Sequence, residues 1–369
     1  MNKSKNIFFS IISAVIALIA FVLILFLKDV FYTNNFFITA LIIFSGAVIA
    51  LFIITVIHEL GHLIAGIRNN FKFVSINIWF FKWKRVGKRI GFSFTGFGEA
   101  LGFTEMVPIN TDNLDQRFIN MTRGGVVANI IFAFLFLIPL FFNIENTVLC
   151  IICPFFPLSI YYVLDNFLPT DRNGIRNDGG VIYGIKKEDN ESKVLSNILK
   201  IQAFMVGGST PSQVEEKLFF DVPQLPEDNH YFINLLSYRY YFYLDKGDFV
   251  NSSKILDRIA TLSDYLPTDI YNRFMVEELY KCCTYDLDEN RADEITYELD
   301  KYLNNVNSVE NVRAKLAYAL YILKKNMDYT DFYQKGIREA KRLVVKGQQE
   351  FEIKLFEKMK KDFPDATNC

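Results

Sequence analysis

Among the 369 residues of this chain, His58-Glu59-Leu60-Gly61-His62 is the group whose types and spacing could do chemistry. Histidines four apart lie on one face of a helix, a turn from each other, so both imidazoles can bind one zinc ion. The carboxylate between them can act as general base on a water that the zinc acidifies. Residues 36–57, immediately before, form an apolar run long enough to span a bilayer. Ionisable groups at membrane depth are costly and are functional by default. The residues therefore imply zinc-dependent hydrolysis within a membrane or at its edge.

The elements that must position this group come from the hydropathy of the chain. Residues 7–27, 36–65, 118–142 and 147–168 are four apolar runs of membrane-spanning length. The first follows Lys3 and Lys5, but it is too long for a signal peptide core and lacks a small-x-small cleavage site, so it reads as a retained anchor. Arg68, Lys72, Lys82, Lys84, Arg85, Lys88, Arg89 and Arg117 all fall between runs two and three. Lys28 is the only basic residue in the other connections. The positive-inside rule then puts residues 67–117 and both termini in the cytoplasm of a multi-pass cell-membrane protein. His58 and His62 lie near the cytoplasmic end of their span.

Within 71–107, Val74, Ile76 and Ile78 alternate with polar residues, and Phe92, Phe94 and Phe97 follow a basic turn. That pattern predicts a β-hairpin or small sheet at the membrane interface, anchored by Trp79, Trp83 and the phenylalanines. From about residue 186 the chain turns rich in Lys, Asp, Glu and Tyr. Helices are expected there over 191–205, 212–219, 229–244, 251–262, 268–283, 292–303, 308–325, 331–346 and 349–363. Connections recurring at about 40 residues fit stacked, tetratricopeptide-like helix pairs or a plain bundle. The fold class is mainly α. A polytopic membrane bundle of about four spans with a small membrane-associated β element occupies 1–184, and a soluble helical domain occupies 185–369.

The formal net charge of −1 averages two dissimilar halves. No basic block interleaved with aromatics occurs in the soluble half, so no nucleic-acid partner is expected. Cys150 and Cys153 sit in an apolar run and read as small buried hydrophobes. Adjacent Cys282 and Cys283 with Cys369 suggest no disulfide framework, which suits a reducing compartment.

Zinc needs a third protein ligand and an open fourth position. His230, beside Tyr231 far along the chain, reads as an ordinary helix-face residue, and the acidic groups after span four are better placed: Asp165, Asp171 and Asp178. His58–His62 on one span, Gly124-Gly125-Val126-Val127-Ala128-Asn129 on the next, then Asn166-Phe167-Leu168-Pro169 and Asp178-Gly179 together resemble the site-2 protease family of intramembrane zinc metalloproteases. The resemblance covers roughly residues 36–182, with its motifs in family order.

It implies that His58, His62 and Asp178 bind Zn2+, that Glu59 is the general base, and that Asn166 holds the substrate backbone or polarises its carbonyl. Asn129 would support the site between spans, and the 71–107 sheet would present an unwound substrate as an added strand. Eight residues separate Pro169 from Asp178, more than the family spacing, and Asp171 competes as the third ligand. Gly174 would let the insert loop out, and Gly179-Gly180 would permit close backbone approach. The function so implied is peptide-bond hydrolysis in membrane-spanning or membrane-associated substrates, with a protein partner for the helical domain. The alternative is a non-catalytic scaffold or accessory subunit of a peptide processing or export system.

Overall fold

A chain in lipid must satisfy its backbone hydrogen bonds internally, so the apolar runs fold as helices. The computed structural model describes residues 3–28, 35–96, 101–172, 174–324 and 329–364. It divides into two compact units: Met1–Arg85, Ile90–Pro108 and Asp112–Ser192 form one, and Val86–Arg89, Ile109–Thr111 and Lys193–Cys369 the other.

In the first unit, α1 (Lys3–Leu27), α2 (Phe36–Arg68), α3 (Leu114–Leu137), α4 (Asn146–Ile152) and α5 (Phe155–Phe167) supply the apolar helices. Among the described residues, four helical stretches are long and apolar enough to cross a membrane, as the sequence predicts. They turn large apolar side chains outward, as lipid-facing helices do; Phe37 is 82 % exposed and Phe134 64 %. The fourth stretch is broken at Cys153-Pro154, where a proline without an N–H caps α5. Cys150 and Cys153 are buried and free; Cys369 and Phe97 lie outside the described residues.

Helix α2 has 33 residues, about 50 Å at 1.5 Å per residue, and outreaches the roughly 30 Å hydrocarbon layer. Asn35 caps its start by accepting from the Phe37 and Ile38 amides. His58 comes 22 positions after Phe36, about 33 Å along the axis, so the motif falls towards the far edge of a span begun at Phe36.

The 71–107 segment is a four-stranded sheet of order β3-β2-β1-β4, with β1 (Phe71–Ile78), β2 (Phe81–Val86), β3 (Arg89–Phe94) and β4 (Gly102–Pro108). Ile76 pairs with both Trp83 and Thr104, and Ile78 with both Phe81 and Gly102, so these six residues share one face. Phe81, Trp83, Phe92 and Phe94 cluster with ring centroids 5.1–6.0 Å apart. Phe52 of α2 meets Trp79 edge-on at 5.5 Å. The opposite face carries Ser75, Asn77, Lys82, Lys84 and Glu105. Strand β4 is an edge strand.

The insert after Pro169 is a small hairpin of β5 (Asp171–Arg172) and β6 (Ile175–Arg176), turned at Gly174 with φ +79°. It runs into α6 (Asp178–Lys187), a helix the sequence reading missed by starting the helical half near residue 186.

The second unit continues from α7 (Asn190–Gly207), which bridges the division, through α8 (Lys217–Phe220), α9 (His230–Lys246), α10 (Phe249–Ala260), α11 (Thr268–Thr284), α12 (Glu289–Glu298), α13 (Asp300–Asn305), α14 (Val309–Ala317), α15 (Thr330–Ala340) and α16 (Lys346–Asp362). Helices α8 to α13 pack each on the next, as do α14 to α16, and α11 also meets α14.

Four expected helices are shorter or broken; the one over 331–346 ends at Ala340. The one over 212–219 is a 3-10 turn at Pro211–Gln213 followed by α8. The one over 292–303 starts earlier and splits at Leu299. The one over 308–325 passes into a π-turn at Tyr318–Ile322, while residues 325–328 lie outside the described residues.

Arg313 is fully buried in the core of this unit. It pairs with Glu277 at 2.7 Å and Glu352 at 2.8 Å and lies over the Tyr280 ring.

Candidate metal centre

The one-turn spacing of His58 and His62 sets their imidazoles side by side on α2, ring centroids 4.6 Å apart. Both are buried, as is Glu59. Each ring is oriented through its far nitrogen. His62 Nδ1 lies 3.1 Å from the Met121 carbonyl, which can only accept, so Nδ1 carries the hydrogen and Nε2 keeps its lone pair. His58 Nδ1 lies 3.0 Å from the Asn129 side-chain nitrogen, while Asn129 Oδ1 has no partner among the described residues. A half-turn of that amide lets Oδ1 accept from His58 Nδ1–H, which leaves the second Nε2 lone pair free as well.

The two Nε2 atoms are 3.1 Å apart, and Asp178 Oδ2 lies 3.2 Å from one and 3.3 Å from the other. Among the described residues, Asp178 Oδ2 finds no hydrogen-bond donor. Three lone-pair donors at this separation repel one another unless a cation lies among them. Three corners of a tetrahedron with zinc bonds of about 2.0–2.1 Å stand roughly 3.3 Å apart, so donor set and spacing both fit zinc.

Asp178 is brought in by a built device. Asn177 caps α6, its Oδ1 accepting from Gly180 N at 2.8 Å and Thr170 N at 3.0 Å. Its Nδ2 donates to the carbonyls of Asp165 and Leu168, the latter at 2.7 Å. One side chain thus fastens the end of α5 to the start of α6. Arg176 then reaches Asp189 at 2.9 Å and Glu191 at 2.8 Å, fixing the other end of α6. Asp171 stays in the hairpin, accepting from Gly174 N at 2.9 Å, and Asp165 is likewise outside the donor cluster.

The glycines act otherwise than the sequence suggests. Gly179 is pressed on the Phe167 carbonyl rather than on the metal donors. The residue against the imidazoles is Gly125, where a Cβ would come within 2.5 Å of His62 Nε2. Beside it, Gly124 and Gly61 let α3 and α2 close to backbone contact.

Asn166 ends α5 with its amide donating to the Tyr162 carbonyl at 3.0 Å, along its own helix. His230 opens α9 in the second unit. Sequence reasoning missed two neighbours of the cluster. The Tyr162 ring stands edge-on to His58 at 5.3 Å, and the Thr104 hydroxyl donates to Glu59 Oε2 at 2.6 Å. A fold-blind reading has no signal for either, because they are distant in sequence.

The arrangement joins a three-donor metal cage to a buried carboxylate on a membrane-length helix, the combination required for metal-assisted hydrolysis. The family model of peptidase family M50 matches residues 46–355, most of the chain. No curated protein and no solved structure matches it.

Proposed function

Since the chain belongs to peptidase family M50, the site-2 protease family of membrane-embedded metalloproteases, we propose that it hydrolyses peptide bonds of membrane-spanning or membrane-associated proteins and peptides. The observation that carries this reading is the convergence of His58 Nε2, His62 Nε2 and Asp178 Oδ2 beside Glu59 on an apolar helix.

His58, His62 and Asp178 would hold zinc, with Asn129 and Met121 fixing the two rings. Zinc, when bound, supplies a water acidified towards neutrality and polarises the scissile carbonyl. Glu59 takes the proton from the attacking water on its carboxylate and later delivers it to the leaving amine. Asn166, at the end of α5, supplies a hydrogen bond to the substrate backbone or its carbonyl oxygen. A helical substrate hides its peptide bonds, so it must unwind before attack. The outer edge of β4 offers backbone groups to an added strand, next to Glu59.

In this reading residues 1–184 form the protease domain in the cell membrane. Residues 185–369, in tetratricopeptide-like or plain bundle form, lie in the cytoplasm with the N-terminus and bind a protein partner or gate substrate entry.

Comparing the membrane peptides of cells carrying the wild type and Glu59→Gln tests the proposal. Uncut precursors should accumulate in the variant, and their fragments should vanish while zinc content is retained. An identical peptide inventory would transfer the protein to the scaffold or export-accessory reading, since a purely structural zinc site needs no base.

A further inference from the structure

We propose that Thr104 is the positioning residue for Glu59, so that the edge strand of the sheet sets the orientation of the general base. The inference rests on Glu59 acting as that base.

Thr104 lies on β4, 45 positions from Glu59, yet its hydroxyl approaches Glu59 twice, Oε2 at 2.6 Å and the backbone carbonyl at 3.2 Å. A hydroxyl has one hydrogen, and the shorter contact has the length of a charge-assisted bond to a carboxylate. Two residues earlier on the same face, Gly102 forms the other wall. A Cβ there would lie 2.4 Å from Glu59 Oε1 and 2.8 Å from its Cγ. The two carboxylate oxygens are therefore gripped by one strand, Oε2 by a donor and Oε1 by the missing side chain.

A free Glu side chain has three rotatable bonds. The grip removes that freedom for a group that must meet a water in one direction. Since β4 is also the outer strand, a peptide added along it would lie on the element that aims the base.

The test uses full-length enzyme in detergent micelles and a quenched fluorescent peptide copied from a precursor that accumulates in Glu59→Gln membranes. Thr104→Val keeps the shape and removes the donor. It should lower kcat about 10- to 100-fold with KM near wild type. Thr104→Ser, which restores the hydroxyl, should recover kcat to within about threefold. Gly102→Ala should also lower kcat by displacing the carboxylate. Zinc stoichiometry should stay at the wild-type level in all three.

Wild-type kcat in Thr104→Val overturns the inference, as does a Ser variant no better than Val. A change confined to KM, or loss of zinc from Thr104→Val, overturns it too, since each assigns the residue to substrate capture or to structure. Cleavage by Glu59→Gln is a separate failure, of the general-base reading itself.

Discussion

Asn129 of α3 meets the far nitrogen of His58 on α2 at 3.0 Å, so the imidazole is aimed by a residue 71 positions further along the chain. Its amide oxygen has no other hydrogen-bond partner among the described residues, and the ring hydrogen it can accept selects the tautomer that leaves Nε2 free towards Asp178. Asn129→Ala should therefore weaken zinc affinity about 10- to 100-fold. Competition with a chelator of known affinity measures it, and unaltered affinity removes Asn129 from the site.

The third donor can be decided by metal content. Asp178→Ala should yield protein that purifies with little zinc, and Asp171→Ala protein with the full complement, because Asp171 is spent on the Gly174 amide of its hairpin. Inductively coupled plasma analysis of both purified variants gives the answer. The reverse pattern would exchange the two assignments.

Gly125 leaves no room for a methyl group between α3 and the imidazoles. Gly125→Ala should retain the helical content of the wild type while losing zinc and cleavage together. If the alanine variant binds zinc normally, α3 is not held against the rings as tightly as the contact implies.

The buried Arg313 cluster predicts a pH dependence for the second unit. Burial pushes Glu352 up to about 7 from an ordinary 4.5; Arg313 opposes the rise, and Glu310 and Glu277 add to it. The folded state then holds this proton more tightly than the unfolded chain does. Its contribution is complete below about 4.5 and is lost as pH rises to about 7, on the order of 1–3 kcal/mol. Pulse proteolysis in urea should show that loss for the wild type and a flatter profile for Glu352→Gln. Arg313→Met leaves Glu277 buried without its cation and should cost about 3–5 kcal/mol. A steeper profile in Glu352→Gln would contradict the assignment.

The legible part of this molecule is the part written in local pattern. Four apolar runs, a one-turn histidine pair and a strand period over residues 74–78 each declare themselves within a short window. Helix α6 did not, because its first turn is Asp178-Gly179-Gly180, and glycines are poor helix formers. Its signal was the cap, Asn177, which works only where Thr170, Leu168 and Asp165 can be reached. The break at Leu299 and the π-turn at Tyr318 interrupt runs whose apolar period continues, so a periodicity reading passes over them. Thr104 and Gly102 lie furthest from sight, since what gives them meaning is a carboxylate more than forty positions away.

The placement of Asp178 at the start of α6, behind span four and its hairpin, has a bearing on biosynthesis. The histidine pair and its glutamate leave the ribosome with the second span, long before the aspartate has been made. A half-finished chain in the membrane holds two imidazoles and a carboxylate, without the partner that completes the donor triangle. Under the proposed function, hydrolytic competence would therefore follow translation of the last span, its insertion, and docking of the next helix by Asn177. On the proposed assignment, the donor triangle of His58, His62 and Asp178 is closed by the last of its residues to be made.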